Sequence, residues 1–166
     1  MAGLYCLEPI SPDNREGVLD IMNYFIASSM AAFAESEVGY QFFDRLQEVT
    51  HGYPTAAIRH RDGQVVGMGF LRPYNLLDSF RRAAEIAYFI LPGHTGQGLG
   101  AVMLAYFERQ ARAMGVDSLL AAISSHNQGS QRFHRRQGFV EAGRFVRVGR
   151  KHGQDFDVVW MQKQLA

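Results

Sequence analysis

The spacing of hydrophobic positions along the chain predicts strands and helices in alternation. Short runs that are apolar or that alternate with polar residues are typical of strands, whereas apolar residues at helical spacing are typical of amphipathic helices. Strands are predicted over 4–10, 55–60, 64–71, 84–91, 118–123, 139–148 and 156–164. Helices are predicted after Ser11 and over 40–49, 101–114 and 127–137. The order β-α-α-β-β-β-α-β-α-β-β predicts a mixed α/β fold, and 1–166 is expected to form a single domain.

Turn and capping residues give several of these elements their expected ends. Ser11 followed by Pro12 is typical of a helix start, Asp62-Gly63 of a hairpin turn, and Gly115 of a helix end. A loop is expected over 149–155, between the last two strands. The helix over 101–114 is expected to bury one apolar side, made of Val102, Leu104, Ala105, Phe107, Ala111 and Met114.

Composition and charge exclude several classes of protein. Hydrophobic residues make up 47% and charged residues 20%, as in ordinary globular chains. The formal net charge is +1 and there is no basic block, so no nucleic-acid partner is predicted. Cys6 is the single cysteine, which excludes an intrachain disulfide and favours a reducing, cytoplasmic setting; it is expected to be buried as a small apolar residue. No signal peptide and no membrane span are expected.

One stretch, 91–104, carries the clearest functional signal. Four glycines, Gly93, Gly96, Gly98 and Gly100, lie between a predicted strand and a predicted helix. Glycine lets the backbone turn sharply and lets a ligand approach the amide groups without a Cβ in the way. Amides in the first turn of a helix lack intrahelical partners, and the helix dipole favours anions there. The stretch therefore predicts a binding site for a phosphorylated small molecule.

Two common phosphate-binding patterns fit this stretch poorly. A nucleoside-triphosphate loop needs Gly-Lys-Ser/Thr, which Gly98-Leu99-Gly100 does not supply. Residues 96–101 match the dinucleotide pattern G-x-G-x-x-A, which expects an acidic residue about 20 positions on, near the end of the next strand. That strand ends near Ser124 without a carboxylate. A further alternative is that the glycines only form a tight turn between strand and helix and bind no ligand, but such a turn needs fewer than four glycines. Coenzyme A is the third phosphate-bearing alternative, and a resemblance to a known family favours it.

Two segments resemble the GNAT superfamily of N-acetyltransferases. The stretch Thr95-Gly96-Gln97-Gly98-Leu99-Gly100 is similar to that family's Gln/Arg-x-x-Gly-x-Gly/Ala pyrophosphate loop. Residues 127–139 resemble its Asn-x-x-Ala-x-x-x-Tyr-x-x-x-Gly-Phe, with His134 at the tyrosine position. The resemblance implies a GNAT-like acyl-CoA N-acyltransferase fold, with a central, mostly antiparallel sheet flanked by helices. Thr95 replaces the usual long side chain, so backbone amides are expected to hold the pyrophosphate.

Within this superfamily the chain is most similar to phosphinothricin and methionine sulfoximine acetyltransferases. The similarity extends over about 7–163 and is carried by Asn23, Phe33, Glu35, Phe80, Arg81, Glu85, His134, Lys151, His152, Gly153, Asp157 and Val158. One departure concerns the acceptor. The branch often has Trp-Arg where this chain has Tyr74-Asn75, so recognition of an anionic acceptor group would fall to another arginine, such as Arg72 or Arg81.

The resemblance implies direct acetyl transfer from acetyl-CoA to the amine of a small amino-acid-like substrate, without a covalent enzyme intermediate. An aliphatic amine is mostly protonated at neutral pH, so a nearby carboxylate can serve as general base. Glu85, in the strand before the glycines and among apolar neighbours, is the candidate; a solvated residue at a strand start is the alternative. His134 is the candidate to protonate the leaving thiolate. The alternatives for His134 are a surface histidine on a basic helix and a simple contact to coenzyme A.

The same resemblance implies the binding residues. Coenzyme A is expected to contact Phe89, Ile90, Thr95, Gly96, Gln97, Gly98, Leu99, Gly100, Asn127 and Ser130. Asn127 is also a good helix N-cap, which explains it without a ligand. The amine pocket is expected to include Phe33, Tyr74 and Phe80, although aromatic residues are more often plain core. The histidines lack metal-ligand spacing, so no metal site is expected.

Other functions stay open on the sequence alone. A non-catalytic acyl-CoA-binding module of the same fold would carry the same glycine stretch. An acetyltransferase for a peptide or polyamine would need the same coenzyme A half-site, and a nicotinamide-dependent dehydrogenase is a more distant alternative. The resemblance also implies a homodimer, with 149–155 and the closing strands as the contact surface.

Overall fold

The computed structural model describes residues 3–165, and within them seven strands form one sheet beside four α-helices. The strands are β1 (Tyr5–Glu8), β2 (Thr55–His60), β3 (Val65–Pro73), β4 (Ala83–Ile90), β5 (Ser118–Ser124), β6 (Val140–Lys151) and β7 (Gln154–Gln164). The helices are α1 (Arg15–Ser28), α2 (Tyr40–Val49), α3 (Leu99–Ala113) and α4 (Gln128–Arg136). Short 3-10 turns lie at Pro12–Asn14, Asp78–Phe80 and Pro92–His94.

The sheet is antiparallel except at its centre. Its strand order is β1-β2-β3-β4-β5-β7-β6, and β4 and β5 form the parallel pair. Helix α3 connects these two strands, because parallel neighbours need a crossover between them. The predicted element order and the mixed, mostly antiparallel sheet are confirmed.

Helices cover both faces of the sheet, and each face has its own hydrophobic core. Side chains alternate between faces along a strand, so neighbouring residues of β2 point into different cores. Ala57 packs with α1 and α2, whereas Ile58 packs with α3. The α3 side includes the largest fully buried side chain, Phe107.

Helix α3 buries a different stripe from the predicted one. Val102 is 42% exposed, Met114 is 40% exposed and Ala105 is exposed as well, so these three predictions are wrong. The helix begins at Leu99, and its buried side chains are Leu99, Met103, Leu104, Phe107 and Ala111. The structure thus adds Met103 to the core, because the helix is rotated about its own axis relative to the predicted orientation.

The last two strands are longer than predicted. The expected loop over 149–155 is a tight hairpin in which only His152 and Gly153 separate β6 from β7. Both residues have left-handed backbones, with φ of 49° and 77°. A two-residue turn of this hand matches the twist of paired strands, which extends the ladder to Lys151 and Gln154.

Cys6 lies on the edge strand β1 and is exposed, so the expectation that it is buried is wrong. Its neighbours Tyr5 and Leu7 pack against the α3 core. Alternation along the strand therefore directs Cys6 to the opposite face of the sheet, where its side chain is exposed.

Candidate active site

The central parallel strands pair only where they begin. The ladder joins 83–85 of β4 to 118–120 of β5, and no further pairing joins these strands among the described residues. Beyond this point the strands diverge and leave a cavity of about 460 Å³. Residues 86–89 line one side and 121–124 the other, with further walls from α2, α4 and 31–34. The sheet therefore contains a gap whose backbone edges are open to a ligand.

The glycine stretch lies at the end of β4 and leads into α3. Gly96 and Gly98 have left-handed backbones, with φ of 74° and 80°, and Gly98 is the residue before the first helical turn. Glycine adopts this conformation without strain. Gly100 has another purpose, since a Cβ there would lie 3.2 Å from the ring of Phe133 on α4. Two glycines thus shape the loop, and a third lets α3 and α4 approach each other.

Side chains in this loop are engaged within the protein. The Thr95 hydroxyl donates to the Pro92 carbonyl at 2.8 Å, and the Tyr5 hydroxyl donates to Gln97 Oε1 at 3.1 Å. Leu99 is buried in the core. What the loop offers a ligand is therefore the first-turn amides of α3, which favour an anion.

Gly98→Ala should weaken both the fold and the coenzyme A site that the resemblance predicts. An alanine held in the left-handed region costs about 1 kcal/mol in the free energy of unfolding. If the loop relaxes instead, its amides move, and the Kd for acetyl-CoA should rise roughly three- to tenfold. Chemical denaturation and calorimetric titration measure the two effects.

Gly93→Ala is the matched control, because Gly93 lies in the same loop with open space around its Cβ position and without a left-handed backbone. It should change neither quantity. Equal effects from both substitutions would contradict the argument from backbone conformation.

Glu85 lines the cavity and is paired with an arginine. The register of β3 and β4 places Arg72 directly opposite Glu85. Arg72 Nε donates to Glu85 Oε2 at 2.8 Å, and Arg72 Nη2 donates to the same oxygen. The Glu85 side chain is 17% exposed. Besides the apolar neighbours that the sequence indicated, Glu85 therefore has a cationic partner, and it is not a freely solvated residue at a strand start.

His134 is buried rather than displayed on the basic face of its helix. It is 4% exposed, whereas Arg132, Arg135 and Arg136 are exposed. Burial lowers its pKa from the ordinary value of 6.5. The unfolded chain therefore binds this proton more tightly, so His134 decreases the stability of the fold as the pH falls below 6.5.

Both ring nitrogens of His134 are hydrogen-bonded. Nδ1 lies 2.8 Å from the Ser130 carbonyl, which can only accept, so Nδ1 carries the proton. Nε2 lies 2.9 Å from the Tyr88 hydroxyl and is the acceptor of that bond. In this form the imidazole has no proton on Nε2 to give directly to a leaving thiolate.

Tyr88 lines the cavity and was not predicted from the sequence as a site residue. Its hydroxyl faces His134, and burial, with the Glu108 carboxylate as a smaller cause, raises its pKa well above 10.0. Side chains alternate between faces along β4, so Tyr88, three residues after Glu85, lies on the opposite face of the sheet. This alternation was the only sequence signal that bears on the position of Tyr88. The helix residue that it meets could not be deduced from that signal.

The beginning of α4 is fixed next to the gap. Asn127 Oδ1 accepts from the Ser130 amide at 3.1 Å, so Asn127 is the N-cap, and both residues line the cavity. The buried Gln131 donates to the carbonyls of Ser124 and Ser125, each at 3.2 Å. These bonds hold His134 and Ser130 in place against the end of β5.

The three aromatic residues expected around the amine do not lie together. Phe33 lines the cavity and stacks on Phe156, with the ring centroids 5.4 Å apart. Tyr74 and Phe80 pack edge to face at 5.8 Å and are not among the lining residues. The cations that do line the cavity are Arg45 and Arg72, whereas Arg81 is exposed and does not.

The segment that carries Phe33 is tethered from two sides. Asn23 exchanges two hydrogen bonds with the backbone of Val38, at 2.7 and 2.9 Å. Lys151 is fully buried, and its Nζ donates to the carbonyls of Ser29 and Ala32 at 2.7 Å each. Burial lowers the pKa of Lys151.

The turn between β6 and β7 supplies a third tether. The His152 amide donates to Glu35 Oε1 at 2.7 Å. Residues that carry the resemblance, namely Asn23, Glu35, Lys151 and His152, therefore hold one wall of the cavity.

Comparison with known proteins agrees with this geometry. A family model described as the acetyltransferase (GNAT) family matches residues 18–139. An L-methionine sulfoximine/L-methionine sulfone acetyltransferase from Pseudomonas paraeruginosa is 31% identical over 153 residues, which is 90% of this chain and 88% of the relative. The predicted likeness to the sulfoximine acetyltransferases is confirmed.

Two solved structures have the same fold over almost the whole chain. The yncA protein from Salmonella typhimurium, solved with its cofactor acetyl-CoA, superposes with a TM-score of 0.86 at 25% identity, covering 98% of this chain and 94% of that one. A ribosomal-protein-alanine N-acetyltransferase from Brucella melitensis gives 0.88 at 30% identity, covering 96% and 99%.

Proposed function

The chain belongs to the GNAT family of acetyltransferases, and from this premise we propose that it transfers the acetyl group of acetyl-CoA to the amine of a small amino-acid-like substrate. The divergence of β4 and β5 is the observation that carries the proposal. The open backbone edges between the two parallel strands suit a ligand with a peptide-like arm. The glycine-rich start of α3 at one end of the gap suits an anionic group at the end of that ligand.

We propose that coenzyme A occupies this gap as an added strand. The pantetheine arm would pair with the open edge of β4 at Phe89 and Ile90. The pyrophosphate would lie on the amides of residues 96–100, because the Thr95 amide already donates to the Pro92 carbonyl. Asn127 and Ser130 would border the arm from the α4 side. The cavity that both strands line supports this placement, since it continues from the gap to Glu85.

In this arrangement Glu85 takes a proton from the substrate ammonium, directly or through one water. The neutral amine attacks the thioester carbonyl carbon, and the C–S bond then breaks with its electron pair leaving on sulfur. After the attack the nitrogen loses a second proton, and the departing sulfur gains a proton to become the thiol of coenzyme A. We propose that His134 takes part in this second transfer.

The acceptor side of the cavity favours a small molecule with a carboxylate. The whole cavity measures about 460 Å³ and must also take the end of the arm, so the space that remains suits a ligand of amino-acid size. Phe33 offers this ligand an apolar wall. Arg72, which already contacts Glu85, can also donate to a carboxylate beside the reacting amine. Asn75 occupies the position where the phosphinothricin and methionine sulfoximine acetyltransferases often have arginine, and its side chain is uncharged. Its Oδ1 accepts a hydrogen bond from the Leu77 amide.

Release of coenzyme A thiol from acetyl-CoA, measured against a panel of amines, tests the proposal. The panel contains methionine sulfoximine, methionine sulfone, phosphinothricin, the common amino acids, a polyamine and a peptide that begins with alanine. We expect turnover with the small amino-acid-like amines. Turnover confined to the peptide or the polyamine would overturn the proposed acceptor class, and acetyl-CoA binding without any turnover would favour a non-catalytic binding module.

We propose a homodimer that uses β6, the edge strand. Its residues 140–148 are exposed, including Val140, Phe145, Val146 and Val148, which are 59–69% exposed. Exposed apolar side chains grouped on one strand are typical of an interface. Phe145→Asp should shift the sedimentation of the protein from dimer to monomer, whereas Leu76→Asp, at an apolar residue 90% exposed elsewhere, should not. A wild-type protein that sediments as a monomer at micromolar concentration would contradict the proposal.

We further propose that 1–166 acts as one N-acetyltransferase domain in the cytoplasm. Both hydrophobic cores share a single sheet, and Cys6 is a free, exposed thiol. Among the helices of residues 3–165, none is both long and apolar enough to cross a membrane.

A further inference from the structure

A hydrogen bond bridges the gap in the sheet. The Tyr88 hydroxyl on β4 lies 2.9 Å from Nε2 of His134 on α4, and the two rings stack with their centroids 5.5 Å apart. Both residues line the cavity. The bond therefore lies where the reacting end of an arm held between β4 and β5 would arrive.

The surroundings fix the direction of this bond. The Ser130 carbonyl holds the proton of His134 on Nδ1, so Nε2 accepts and Tyr88 donates. The phenol oxygen keeps its own lone pairs for a further donor. Tyr88 can thus accept a proton from a ligand at the moment that it passes its own to Nε2.

We propose that Tyr88 and His134 form a two-residue proton relay that carries the proton from the attacking amine to the departing sulfur. This inference rests on the proposed function and deepens it. Tyr88 is the catalytic residue that touches the reacting atoms, and His134 is the proton acceptor behind it. Direct donation from His134 to the thiolate is replaced by transfer through the phenol.

The relay makes two coupled proton shifts before the C–S bond breaks and two after it. After the amine has attacked, its N–H bond breaks and the proton moves to the Tyr88 oxygen, while the Tyr88 proton moves to His134 Nε2. The C–S bond then breaks, and the sulfur keeps the electron pair. The proton returns from Nε2 to the Tyr88 oxygen, and the hydroxyl proton passes to sulfur. Tyr88 gives and takes protons together, so it never holds the charge that its burial disfavours.

Few charged groups face the pair. Phe133 and Phe139 pack edge-on against the His134 ring, with centroids at 5.5 and 4.8 Å. Ser130 is the polar neighbour on α4 itself. From α3, Glu108 acts on Tyr88, and Lys163 of β7 contacts that carboxylate at 2.5 Å. Neutral His134 is therefore the resting form, and protonation at acid pH would remove the acceptor that the relay needs.

Tyr88→Phe tests the relay, because it removes one oxygen and keeps the ring. We expect kcat to fall about a hundredfold, with the KM for acetyl-CoA within about threefold. We also expect the pH profile of kcat to lose the part of the acid-side decrease that protonation of His134 causes in the wild-type protein, while the part that comes from the substrate ammonium remains. Tyr106→Phe, a partly buried tyrosine of α3 outside the cavity, is the control and should keep full activity.

His134→Gln and the double variant supply the second measurement. The glutamine side chain would not accept a proton, so kcat should fall by a similar factor. Because the two residues act in series, the double variant should be little worse than either single variant. Circular dichroism and acetyl-CoA titration show whether each variant is folded and binds the cosubstrate.

The outcomes separate this inference from the proposed function. An active wild-type protein with Tyr88→Phe within threefold of it would overturn the relay and leave the acetyltransferase standing. Additive losses in the double variant would overturn the relay as well. A wild-type protein that binds acetyl-CoA and acetylates no amine would overturn the proposed function, and the relay with it.

Discussion

Glu85→Gln should lower kcat by about a thousandfold while the KM for acetyl-CoA stays within about threefold. The carboxylate lines the cavity at the end of the paired part of β4 and β5, next to the point where the gap opens. Glutamine has the same shape and can still accept from Arg72, but it cannot take a proton from an ammonium. The loss should therefore appear in the chemical step and not in cosubstrate binding. Steady-state kinetics with the best amine of the panel measures it.

Glu8→Gln is the matched control, because Glu8 has the same kind of partner outside the cavity. Arg59 donates to Glu8 Oε1 through both Nε and Nη2, at 3.0 and 2.6 Å. This variant should retain the wild-type kcat. A Glu85→Gln enzyme that keeps a third or more of the wild-type kcat would show that another group, or solvent, removes the proton.

Lys151→Met should destabilise the protein by about 3 kcal/mol, since hydrogen bonds from a charged donor are among the stronger ones and buried carbonyls would lose their partner. Methionine keeps most of the packing volume, so the loss reports the ammonium and its two bonds to Ser29 and Ala32. The segment carrying Phe33 should then move. The KM for the amine should rise several-fold, and the KM for acetyl-CoA should change little. Urea denaturation and initial-rate kinetics measure the two effects.

Arg150→Met is the control for this substitution, because Arg150 is the preceding residue of β6 and its side chain is 72% exposed. It should alter neither stability nor the KM for the amine. Unchanged stability in Lys151→Met would mean that water replaces the ammonium, and the wall would then be held by Asn23 and Glu35 alone.

Local patterns were sufficient for most of the fold. The glycines, the Asn127 cap and the Asp62-Gly63 turn are short-range signals, and their residues alone determine what the backbone does there. The 149–155 loop was misjudged because a left-handed histidine before Gly153 is unusual, so the sequence did not resemble a two-residue turn. The buried side of helix α3 was predicted incorrectly because the exposed Val102 and Met114 are as apolar as the residues that the helix buries.

The candidate site needed information that sequence does not contain. Glu85 could be placed on the strand before the glycines, but its partner Arg72 depends on the register between β3 and β4. Tyr88 and His134 meet only because α4 packs across the gap. The sequence offered Lys151 only as a residue of the resemblance, and its burial depends on a segment more than a hundred residues earlier in the chain.

The way in which the wall of the cavity is tethered has an evolutionary consequence. Lys151 binds the carbonyls of Ser29 and Ala32, and Asn23 binds the backbone of Val38. Every amino acid offers the same carbonyl, so these anchors do not depend on which side chains the segment bears. Residues 30–34 can therefore diversify while their backbone path is preserved. A lineage of such enzymes could change its acceptor amine by drift within a few positions, without rebuilding the scaffold that performs the chemistry.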